Sequence, residues 1–280
     1  MTATRPRHEQ AGHRAFFVGL ARAFAGALIF ALPMLMTMEM WWIGFYIDPW
    51  KLILLLVVLV PLLVGLGVVS GFKPTEGLRD MVADAFVAIT IAVVMSAVVL
   101  FVLDVVTLDM PPREVVGKIA LQTFPGSVGA MLARAQTGDR RQTRDERREE
   151  ANYPGALFLM AVGALFLGLN IAPTEEIVLL SYMMEPPREI ALAALSLALM
   201  HGFVFAVEFP GSPPRRPGAT FMGLFLRYTV VGYTIVLAIC LYLLWTFGRM
   251  EGTGGAELAS ACVVLGFPCS IGAAAARLIV

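Results

Sequence analysis

Charge is scarce in this chain, and histidine and cysteine are scarcer. Of 280 residues only 15% are charged, three are Cys and three are His. So little charge excludes an ordinary soluble domain, and a formal net charge of zero hides a strong polarity between the two ends of the spans. Cys240, Cys262 and Cys269 lie in apolar stretches without metal-type spacing, so they read as packing residues, not as a disulfide framework or a metal site. His8 and His13 fall in a polar N-terminal tail, which leaves His201 alone among apolar residues. No phosphate-cradling glycine loop occurs, so a nucleotide-driven pump would need a partner. No cofactor and no cleaved signal peptide are expected.

What is abundant is apolar sequence. The hydrophobic fraction is 58% and the mean hydropathy is +0.78. Apolar runs of bilayer-crossing length, ~20 residues, recur along the chain, and in lipid such runs must be helical. The expectation is an all-α polytopic membrane protein with eight spans. They are Phe24–Ile47, Trp50–Ser70, Met81–Val106, Val115–Leu132, Ala156–Tyr182, Glu189–Phe209, Phe221–Phe247 and Leu258–Ile279. The fourth and eighth are the weakest. Glu114, Lys118 and Gln122 interrupt one, and small residues dilute the other.

The chain also repeats itself. Gly26-Ala27-Leu28, Leu32 and Thr37-Met38-Glu39 return in register as Gly163-Ala164-Leu165, Leu169 and Thr174-Glu175-Glu176. Phe124-Pro125-Gly126-Ser127-Val128-Gly129-Ala130 with Ala133-Arg134 returns as Phe267-Pro268-Cys269-Ser270-Ile271-Gly272-Ala273 with Ala276-Arg277. Two matches in one order indicate a tandem duplication. The expected organisation is a cytoplasmic tail 1–23, repeat 1 over 24–134, a charged linker 135–153 and repeat 2 over 154–280. Under this layout sixteen Lys and Arg fall on one side and five on the other, so both termini are expected in the cytoplasm. Four spans per half make the repeats parallel. Gly71–Pro74 and Pro210–Pro217 read as cytoplasmic turns, and Trp41, Trp42, Tyr46 and Trp50 as outer interfacial anchors.

Three constellations could carry chemistry. The first is Glu39 and Glu176, each with a threonine nearby (Thr37, Thr174), and with Glu175 beside the second. A carboxylate within a span costs ~2.5–3.5 kcal/mol on insertion scales, so it normally faces a partner or water. Pro33, Asn170 and Pro173 disturb the helices nearby and free carbonyl oxygens. Oxygen-rich sets of this kind bind protons or hard cations. The plainer alternative is interfacial snorkelling. The second is His201, read as near the middle of its span, a proton-relay candidate or a partner of Glu175 or Glu176; Glu208 and Asp84 could extend such a relay. The plainer alternative is a packed histidine. The third is the repeated segment around Pro125 and Pro268, read first as close helix packing.

Ala172-Pro173-Thr174-Glu175-Glu176 followed by Met200-His201 resembles the double-Glu and His segments of intramembrane CAAX-type proteases. Leu180 stands where those enzymes need an Arg, and a second intramembrane His is missing, so no catalytic residue is carried over. Nearly the whole chain beyond the tail resembles a family of bacterial multi-pass integral membrane proteins. That likeness rests on Leu32-Pro33 through Trp41, on Ala172–Glu176 and on Met200-His201-Gly202-Phe203. It implies a bacterial inner-membrane location and brings no activity with it. Together these features lead us to expect transport or conduction of a small cation or protons through a site between the repeats. A non-transporting sensor or assembly subunit is the alternative. The lipid bilayer is the expected partner, nucleic acid is not, and no metal site is expected.

Overall fold

The computed structural model describes residues 5–69, 77–135, 153–172, 174–205 and 221–279. Pro173, Glu208, most of the charged linker and the turns at Gly71–Pro74 and Pro210–Pro217 lie outside the described residues. Every regular element among the described residues is a helix, and none is a strand. The helices are α1 (Arg5–Leu35), α2 (Met38–Tyr46), α3 (Pro49–Val69), α4 (Leu78–Val102) and α5 (Pro112–Ala135). They continue with α6 (Tyr153–Ile171), α7 (Glu175–Met183) and α8 (Pro186–Phe205). The last are α9 (Phe221–Leu224), a π segment (Phe225–Val230), α10 (Val231–Thr246) and α11 (Gly255–Ile279). Among the described residues six stretches are long and apolar enough to cross a membrane: Phe17–Leu35, Pro49–Val69, Leu78–Val102, Tyr153–Ile171, Phe221–Thr246 and Gly255–Ala276.

Two compact units emerge. One comprises Met1–Met36 and Gly44–Arg140, the other Thr37–Ile43 and Arg141–Val280. In the first, α5 is the centre, packed by α1, α3 and α4. Every residue from 121 to 131 is buried. The span that hydropathy made weakest is therefore the core of its unit. A helix surrounded by protein need not dissolve in lipid, so it tolerates the polar residues that lower its score. Around it, α1 presents Ala23, Ala27, Ala31 and Met34 inward at helical spacing and leaves Ile29 and Leu32 exposed. The outward apolar residues suit lipid, and the inward small ones suit close packing.

In the second unit α11 is central, packed by α6, α7, α8 and α10. Both units use the same contact to seat their first long helix. A Cβ on Gly26 would lie 2.5 Å from both the Gly129 carbonyl oxygen and the Ala133 Cβ. One on Gly163 would lie 2.6 Å from the Ala276 Cβ and closer still to the Gly272 oxygen. Only glycine permits this backbone approach. The residues that make these contacts, Gly129 with Ala133 and Gly272 with Ala276, follow Pro125 and Pro268 by one and two helical turns.

The expected first and fifth spans are not single helices. α1 ends at Leu35 and α2 starts at Met38; α6 ends at Ile171 and α7 starts at Glu175. Pro33 sits inside α1 and does not end it; the break comes after it, at Met36-Thr37.

Candidate functional site

In the first unit the break in the first span can be placed against α5. Gly129 meets Gly26, and Gly117 meets Gly44 on α2. Between these points the Gln122 amide nitrogen donates to the Met34 carbonyl at 3.0 Å. Met34 lies in the last turn of α1, where the helix no longer supplies its own donors. A buried glutamine thus caps a broken helix, ~15 Å along α5 from its first residue.

The second unit solves the same problem locally. The Thr174 hydroxyl and backbone N–H both donate to the Ile171 carbonyl, at 2.8 and 3.0 Å. Asn170, in the register of Pro33, donates its side-chain amide to the Phe166 carbonyl at 2.7 Å. On α11 the residue in the register of Gln122 is Leu265, fully buried. The centre of the second unit is apolar where that of the first is polar.

Gln122 belongs to a line of polar residues on one face of α5, spaced four apart: Glu114, Lys118, Gln122. Lys118 is only 7% exposed. Its ammonium pairs with the Glu114 carboxylate at 2.6 Å and donates to the Val105 carbonyl at 3.0 Å, with the Met110 sulfur 3.7 Å away. Gly44 makes room for it: a Cβ there would lie 2.6 Å from the Lys118 Cγ. In the register of α11 these positions are Glu257, Ala261 and Leu265. In the sequence Glu114, Lys118 and Gln122 stand as interruptions of an apolar span. Their spacing, which puts all three on one helix face, was the available signal.

The acids singled out from the sequence lie just past the breaks, in the first turns of the short helices. Thr37 and Glu39 are half-buried, Thr174 is half-buried, and Glu175 and Glu176 are exposed. Thr37–Ile43 groups with the second compact unit. Acids in a first helical turn are favoured by the helix dipole. Glu175 also comes within 3.9 Å of the Arg249 guanidinium, but at 79% exposure this pair contributes little. Among the described residues no cluster of three His, Cys, Asp or Glu could hold a metal ion.

His201 is buried in the last described turns of α8, not at its middle. Its Nδ1 lies 2.9 Å from the Thr229 hydroxyl, and its ring meets the edges of Phe221 and Phe225, with centroids 4.4 and 5.2 Å away. Thr229, Phe225 and Arg227 belong to the π segment. Tyr153 holds the same segment from α6. Its hydroxyl donates to the Arg227 carbonyl at 2.7 Å, and its ring lies 4.4 Å beneath the Arg227 guanidinium. π turns are uncommon and recur at functional places.

A broken span laid along a central helix in each unit, with a buried charged pair in one, is membrane-protein architecture. The family described as "Putative integral membrane protein (DUF2391)" matches residues 19–280. The chain belongs to this family of integral membrane proteins. No curated protein and no solved structure matches it. The family therefore adds membrane integration, and any chemistry must come from the residues above.

Proposed function

We propose that this member of the family conducts protons or a small cation across a bacterial inner membrane. In this reading eight spans form two parallel repeats with both termini in the cytoplasm. α5 and α8, outside the six most apolar stretches, complete the eight. Long lengths support their spanning: both run about as far as a bilayer-crossing helix must, ~20 residues.

One observation carries the proposal. The first span of the first unit breaks level with a buried polar line, and Gln122 of that line caps the break. Irregular backbone and ionisable side chains at membrane depth are costly, and such groups mark ion pathways. Broken helices are also the usual way transporters expose carbonyls to a cation or proton donor. With α5 entering from the outer side, Glu114 stands nearest the surface, then Lys118, then Gln122. Glu39 and Glu176, with Thr37 and Thr174, gather cations at the breaks, while Glu175 and His201 adjust the local charge. No bond-making step is required, so the protein is not an enzyme in this reading.

Purified protein in liposomes with an internal pH dye tests it. Imposed gradients should dissipate faster than in empty liposomes. Lys118→Met and Glu114→Gln should each abolish the difference; flux unchanged by both would overturn the assignment.

One observation favours a second reading, a non-transporting sensor. Tyr153, the last residue of the charged linker, grips the π segment and could relay a linker signal to it. No flux under any gradient, with a change at Tyr153 on linker binding, would select this reading.

A further inference from the structure

Two buried polar atoms in the first unit have no hydrogen-bond partner among the described residues: the Gln122 Oε1 and the Ser96 Oγ. Gln122 is 1% exposed and Ser96 0%. Buried polar groups are rarely left in this state, because water or another partner normally satisfies them.

The helix register brings the two residues to facing turns. Val105, just beyond α4, bonds Lys118 on α5. Farther down α4, a Cβ on Gly126 would lie 3.0 Å from the Ala92 Cβ and 3.1 Å from the Met95 Cε. These two contacts make α4 and α5 antiparallel. Ser96 lies between Ala92 and Val105, as Gln122 lies between Gly126 and Lys118, so they occupy facing turns. Gln122 also shares its face with Gly129, which meets Gly26 of α1. Its amide therefore enters the seam where α1, α4 and α5 meet. Its nitrogen is spent on Met34, and its oxygen is left for a donor.

We propose that the seam holds a buried water molecule, donating to the Gln122 Oε1 and engaging the Ser96 Oγ. A single water with two to four polar partners is the usual occupant of such a place. A metal cation fits less well, because the Lys118 ammonium stands one turn from Gln122. The second unit has Leu265 in the register of Gln122, so no side-chain amide enters there. The water stands on this geometry alone; its use as a step in conduction rests on the proposed function.

X-ray hydroxyl-radical footprinting of the full chain in nanodiscs tests this directly, since radicals formed from a bound water oxidise its immediate neighbours. Met34 and Met95 flank the seam, and both are 0% exposed. Met160 and Met200, at 0% and 1%, serve as buried references in the second unit. Oxidation of Met34 and Met95 well above that of Met160 and Met200 is expected. It should be lost in Gln122→Leu and in Ser96→Ala, while exposed Met36 continues to react. Met34 and Met95 as inert as the references in the unaltered protein would overturn the site, whatever the variants do. Should Gln122→Leu fail to fold, Ser96→Ala retains the comparison. Labelling that vanishes in the variants while liposome flux persists would keep the water and remove it from the conduction path.

Discussion

The Ser260 hydroxyl donates to the Ser181 carbonyl at 3.1 Å, at the place where the first unit brings Gly117 against Gly44. Both pairs pin the short helix after the break to the central helix. One uses a side-chain hydrogen bond, the other bare backbone contact. Ser260→Gly should therefore cost little, ~0.6 kcal/mol by the average for hydrogen bonds between membrane helices. Gly117→Ser should cost more, ~1–3 kcal/mol, because its Cβ would meet the Gly44 carbonyl. Thermal unfolding in one detergent would rank the two.

Gly26→Val and Gly163→Val should each destabilise the chain by ~1–3 kcal/mol or more, since the neighbours they would strike include backbone. Gly19→Val is the control, because a Cβ there meets nothing within 4 Å. Equal melting temperatures for Gly26→Val and Gly19→Val would contradict the packing described.

These contacts separate what the sequence disclosed from what it hid. The registers Gly26 with Gly163 and Gly129 with Gly272 were visible as words, and they proved to be one helix crossing made twice. Helix breakers at Pro33 and Asn170 were also visible, but the break itself comes later, because a helix can carry a proline near its end without stopping. α5 was underrated for a physical reason. Hydropathy measures compatibility with lipid, while α5 is surrounded by α1, α3 and α4. Lys118 and Gln122 thus looked like defects until their partners were seen. The π segment has no pattern in sequence, because it reflects how Thr229 and Arg227 are held from neighbouring helices.

The Glu114–Lys118 pair gives an ordered prediction. Glu114→Gln leaves an ammonium whose side chain is 8% exposed, whereas Lys118→Met leaves a carboxylate with more access to water, at 16%. Breaking a buried pair costs ~3–5 kcal/mol. Glu114→Gln should approach that range and Lys118→Met fall below it. Denaturation at neutral pH would check the order, and a larger loss for Lys118→Met would refute it.

Glu39→Gln combined with Glu176→Gln should separate stability from flux. Neither side chain is buried, so stability should hold within ~0.5 kcal/mol. Liposome flux should nevertheless fall if these acids gather cations. Unaltered flux would confine them to helix termini.

Thr229→Val should remove the His201 contact with little change in volume, at a cost of ~1 kcal/mol. The imidazole resonances of His201 should shift in NMR spectra, and unmoved resonances would count against the pairing.

A π turn accommodates one residue more than an α turn in the same length, so Phe225–Val230 stores a surplus residue within an otherwise regular rod. Expelling that surplus would turn Phe221–Leu224 by about 100° relative to α10. Phe221 would swing off the His201 ring, and the aromatic wall around the imidazole would open. Tyr153 on one side and His201 on the other hold the segment at its present angle.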